Sequence, residues 1–140
     1  MRRALGSLSL VLLVAMAAPA DGTSAKVLRH EGKWESGYGA KFYNVVGELE
    51  NTSGHALRYV KLRLDALDVD GKVLGSADTY NESAEVLAAP EVDPQKLLAS
   101  GKVKPLAAGA KERFRGGFMA DEYPAVKSHR VTIVETPTAP

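Results

Sequence analysis

The chain has 140 residues, with 18 lysines and arginines against 17 aspartates and glutamates, 45% apolar residues and no cysteine. That length holds one core of ordinary size, and the apolar share is too high for a disordered chain. The near balance of charge excludes a general nucleic-acid binder, and the missing cysteine excludes disulfides, thiolate metal centres, a cysteine nucleophile and a lipidated N-terminal Cys.

Arg2 and Arg3 precede an apolar run from Leu8 to Ala18 that is interrupted only by Ser9. Ala18-Pro19-Ala20 then offers small residues at the two positions a signal peptidase reads. A run of about 11 residues rises about 16 Å as a helix, short of a hydrocarbon core of about 30 Å. Residues 1–20 are therefore expected to be a signal peptide, cleaved before Asp21, with the product periplasmic or extracellular. No second apolar stretch of spanning length follows, so no membrane span is expected after cleavage.

Residues 21–26 read as a polar leader, and 27–135 as one β-sandwich domain. Val27–Arg29 begins a first strand, followed by an aromatic and glycine-rich connector around Trp34, Gly37, Tyr38 and Gly39. Lys41–Glu50 is strand-like, because Tyr43, Val45, Gly47 and Leu49 share one face at period two. Asn51-Thr52-Ser53-Gly54 is a turn cluster; it and Asn81-Glu82-Ser83 match the glycosylation sequon, and both are read as turns. Over Ala56–Leu67, Val60, Leu62, Leu64 and Ala66 alternate with Tyr59, Lys61, Arg63 and Asp65, which predicts a strand. Asp70-Gly71 marks a hairpin that returns Lys72–Tyr80 antiparallel.

Residues 81–105 break this rhythm. Within them Asp93–Gly101 predicts one short helix, with Asp93 as N-cap, Pro94 first and Gly101 as the stop. Lys111–Phe118 and Lys127–Glu135 are the last strands, and Thr136–Pro140 is expected to be a flexible tail. Strands at this spacing predict an all-β, immunoglobulin-like antiparallel sandwich with one short helical insertion.

Val46-Gly47-Glu48-Leu49-Glu50-Asn51-Thr52-Ser53, followed by Tyr59-Val60-Lys61-Leu62, resembles the opening of FxLYD-type immunoglobulin-like bacterial extracytoplasmic domains. Asp68, Gly71, Lys72 and Val73 are similar to that family's hairpin. Leu106–Ala110 with Phe114 is similar to its L-x-P-G segment, with Ala108 in place of the proline. Leu64–Asp68 stands where F-x-L-Y-D would be and keeps only the last residue. The resemblance runs from Phe42 to Val134 and implies an extracytoplasmic sandwich; the family brings no catalytic residues to carry over.

Chemistry-bearing patterns are few. His30, His55 and His129 lie on three distant segments with no paired spacing, so no metal site and no cofactor are expected. Asp68-Val69-Asp70-Gly71 begins like a calcium loop, but Lys72 and Thr79 occupy its fifth and twelfth positions. There is no G-x-S-x-G elbow and no phosphate-cradling glycine loop before a helix. The chain is thus read as a non-catalytic interaction or accessory module of the cell envelope, with an envelope protein or surface component as partner. Two features give a candidate surface. Leu97 and Leu98 must dock the short helix, which is marginal alone, and so fix the flanking Glu85–Glu91 and Lys102–Lys104 stretches as loops displayed on one side; Lys111, Arg113 and Arg115 share one strand face opposite Phe114 and Phe118. The alternative is a small-ligand-binding or hydrolytic domain with its site between Trp34, Tyr38, Phe42, Tyr43 and the 81–105 insertion.

Overall fold

The computed structural model describes residues 24–140 and places them in two antiparallel three-stranded sheets. The leader expected at 1–20 and its cleavage site lie outside the described residues. The strands are β1 (Ala25–Gly37), β2 (Ala40–Asn51), β3 (Lys61–Leu67), β4 (Val73–Tyr80), β5 (Lys111–Met119) and β6 (Ser128–Glu135). One sheet has the order β1-β2-β5 and the other β4-β3-β6. Together the two sheets make an all-β antiparallel sandwich.

Period-two burial runs through the two central strands, broken in β3 by Asp65, which is buried between Leu64 and Ala66. Tyr43, Val45 and Leu49 of β2 face Leu62, Leu64 and Ala66 of β3, and Phe114, Phe118, Val126 and Ile133 complete the main core. Gly47 is an inward position without a side chain, because its cross-strand partner Phe114 fills that space.

The first strand departs from its sequence reading. It starts at Ala25, which is fully buried, and runs straight through the expected connector to Gly37. Its inward positions after a bulge at Leu28 are His30, Gly32 and Trp34, too weakly apolar to show an alternation. The chain then reverses over Tyr38 and Gly39, both at positive φ (52° and 76°), the primed two-residue turn that suits strand twist. The second hairpin loop has three residues instead of two: Asp68 N donates to Lys72 O, the Asp68 carboxylate accepts from Asp70 N and Lys72 N, and Gly71 takes φ +82°.

Between β4 and β5 the chain forms an unforeseen 3-10 helix, Glu82–Ala88, before the expected α1, Pro94–Ala99. Asp93 caps α1 through Gln95 N and Lys96 N, as its position requires. These pieces bring a small core of their own. Tyr80, Ala84, Leu87 and Val103 are buried together, with Tyr59, Leu97 and Leu98 half-buried against them.

Asn51 and Asn81 are fully buried rather than exposed turn residues. Asn51 Nδ2 donates to the carbonyls of His55, Leu106 and Ala107, while its Oδ1 accepts from Ser53. Asn81 Oδ1 accepts from Val60 N at 2.8 Å, and Nδ2 donates to Glu112 Oε1 at 2.9 Å. Glu112 also receives Ser83 N and Ser83 Oγ. Burial disfavours the Glu112 carboxylate, but the hydrogen bonds from Ser83 and Asn81 outweigh it and hold its pKa below the ordinary value. Nor is Thr136–Pro140 a loose end. Arg58 N donates to Pro137 O, Ala139 N donates to Ala56 O, and Thr138 bridges Leu57.

Asn81→Ala would leave the buried Val60 N–H without its acceptor and Glu112 short of one donor. It is expected to cost about 2–3 kcal/mol of stability, measured by chemical denaturation. A loss under about 0.5 kcal/mol would show that water replaces the amide at no cost.

Candidate functional site

The side chains of β5 divide as the alternation requires. Phe114 and Phe118 point into the core, while Lys111, Arg113 and Arg115 are exposed on the outer face. Pairing with β2 sets Glu48 opposite Arg113 and Val46 opposite Arg115. The next strand over continues these rows with Arg29 and Glu31. A groove of about 310 Å³ results, bounded by the guanidinium groups of Arg29, Arg113 and Arg115 and the carboxylates of Glu82 and Glu85. Val46, 41% exposed, supplies apolar surface within it.

The arginines differ in their commitments. Arg115 holds Glu85 of the 3-10 helix through two bonds, Nε to Oε2 at 2.9 Å and Nη2 to Oε1 at 3.2 Å. That hydrogen bonding and the carboxylate charge raise the already high Arg115 pKa. Arg29 stands 3.8 Å from Glu48. Arg113 and Lys111 have no ion-pair partner among the described residues.

Leu97 and Leu98 do not join this surface. Both are spent on docking α1 against the small second core. The groove therefore unites Arg113 and Arg115 with Glu82 and Glu85 of the insertion and with Arg29 and Val46, two residues that the sequence did not single out for a site; Lys111 shares the strand face but does not line the groove. The charge alternation Arg29, Glu31, Lys33, Glu35 was the available signal for the first of them. A second, shallower groove of about 580 Å³ lies between Glu35 and Asn44 on one side and Glu85 and Ala88 of the insertion on the other. None of Trp34, Tyr38, Phe42 or Tyr43 lines it.

Two of the three histidines, distant in sequence, meet at the other margin of the sandwich. His30 Nδ1 is 2.8 Å from His129 Nε2, and Tyr43 Oη is 3.0 Å from His129 Nδ1. His30 and Tyr43 belong to one sheet and His129 to the other, so the cluster ties the sheets together. Gly32 is required beside it, since a Cβ there would lie 2.5 Å from Tyr43 Oη and 2.7 Å from His129 Nδ1. His55 stays apart in the Ser53 turn. Among the described residues no group of three or more His, Cys, Asp or Glu side chains is arranged to hold a metal ion.

Compared with known proteins, the chain matches no family model, no curated protein and no solved structure.

Burial, and then the charge of His30, lower the His129 pKa from its ordinary 6.5. The unfolded chain therefore binds a proton that folded His129 refuses, and stability falls as pH drops below 6.5. Melting temperature is expected to decline over that window in the wild type and to decline less in His129→Gln, with the separate Glu112 contribution lost only at still lower pH, below 4.5. Parallel pH profiles for the two proteins would refute the assignment.

Proposed function

We propose that the chain is an exported, non-catalytic β-sandwich that binds an acidic segment of an envelope protein through the outer face of β5. The observation that carries this reading is Arg113: an exposed guanidinium, uncommitted among the described residues, beside the apolar surface of Val46. Arg115 next to it already holds a carboxylate in bidentate fashion, which is the geometry a partner's Asp or Glu would adopt at Arg113. The 3-10 helix supplies the opposite wall, and Glu82 and Glu85 there would repel a second acidic group and so set the orientation of the bound segment. Export rests on the N-terminal pattern of Arg2, Arg3, Leu8–Ala18 and Ala18-Pro19-Ala20. The resemblance to FxLYD-type domains favours the same compartment.

Residues 21–140 used as bait on an envelope fraction, with cross-linking, test this reading. Arg113→Glu is expected to lower the yield of captured partner roughly tenfold, and raised salt to weaken capture by the wild type. Lys72→Glu, in the remote β3–β4 loop, is the control and should change nothing. Equal capture by Arg113→Glu and wild type would place the binding surface elsewhere.

A further inference from the structure

The two margins of the sandwich are finished differently. At one, the edge of β5 is occupied: Thr79 Oγ1 donates to Arg115 O at 2.6 Å, Asn81 bridges Phe114, and Glu85 reaches Arg115. At the other, β1 is a 13-residue strand whose backbone is hydrogen-bonded to β2 alone among the described residues. The bulge at Leu28 lies near its start and leaves Arg29–Gly37 in regular register. An edge of this length is a template for another strand.

The outer face of that edge carries Arg29, Glu31, Lys33 and Glu35, all exposed, in the order plus, minus, plus, minus. We infer that β1 pairs antiparallel with β1 of a second copy of this chain, with Gly32 on the twofold axis. In that register Arg29 lies opposite Glu35 of the second copy and Glu31 opposite its Lys33, so all four outward positions meet an opposite charge. A slip of two residues either way sets like charges face to face, and a slip of four keeps only half of the pairs. Parallel pairing puts each charge against itself. The sequence is thus self-complementary in one arrangement, and cross-strand charge pairs are the interactions that select it.

Local contacts leave this ladder available. Lys33 and Glu35 stand 3.7 Å apart, Arg29 is 3.8 Å from Glu48, and Glu35 accepts from Asn44 Nδ2 at 2.6 Å. Glu31 has no ion-pair partner among the described residues. On the inner face the axis passes through Gly32, so no side chain collides there, and His30 comes opposite Trp34 of the second copy.

Sedimentation velocity of residues 21–140 over a wide concentration range, at low and high salt, reads the outcome. The wild type is expected to show a monomer–dimer equilibrium that salt weakens. Glu31→Lys and Lys33→Glu should each weaken dimerisation at least roughly tenfold, since each turns two attractive pairs repulsive. An equimolar mixture of the two variants should form a heterodimer, and the double variant carrying both changes should dimerise as the wild type does. A wild type that stays monomeric throughout overturns the proposal. So do single variants that dimerise unchanged, or a mixture that fails to associate, because either result means that any dimer uses another surface or register.

Discussion

Two three-stranded sheets that share no strand must be held face to face, and with no cysteine in the chain no disulfide can do it. Apolar burial supplies the attraction, but it is non-directional and does not fix how one sheet sits on the other. Orientation comes from buried or half-buried polar groups along both margins. On one side Asn81 joins the start of β3 to Glu112 of β5, and Thr79 reaches the Arg115 carbonyl. On the other, Trp34 Nε1 donates to Val126 O, and Tyr43 Oη meets Nδ1 of the half-buried His129 ring. Each of these groups is expensive to bury unpaired, so the arrangement that satisfies all of them at once is strongly favoured over its neighbours.

The insertion follows from the same constraint. Asn81 is held from both sides, and Glu112 draws in the Ser83 N–H and hydroxyl, so the chain leaving β4 turns at once into the 3-10 helix. That turn carries Leu87 over Tyr80 and presents Glu85 to Arg115. The charged groove on the outer face is therefore bounded by a segment whose position is set by hydrogen bonds at the sheet margin. On the second sheet Asp65 plays a comparable part, gripping Arg130 of β6 at 2.9 Å and Ser76 of β4.

Elements whose inward positions are large and apolar were legible in the sequence. Tyr43, Val45 and Leu49, and then Leu62, Leu64 and Ala66, mark their strands by alternation alone, although the second strand starts at Lys61 and not at Ala56, and the Asp93-Pro94 start of α1 states its own cap. The face of Lys111, Arg113 and Arg115 was legible for the same reason. The first strand was not, because His30 and Gly32 stand where apolar side chains would announce it. Asn51 and Asn81 look like turn residues until their amides are seen to serve as buried cross-links. Burial of a polar side chain depends on partners 21 to 56 residues away, as at Val60 and Ala107, and no local pattern encodes that. The meeting of Arg29, Val46 and Arg113, and that of His30 with His129, are likewise products of strand order.

The strand order also sets a timetable. Only the β1–β2 and β3–β4 hairpins form between neighbours in sequence; β2 must wait for β5, and β3 for β6. Glu50 pairs with Lys111 and Lys61 with Glu135, so each sheet gains its third strand only after a long stretch of chain has been spent in closing a loop. A growing chain has to emerge almost to its end before the main core can be sealed. Until then it exists as two hairpins with bare apolar faces, slow to commit and dependent on the last strand to arrive.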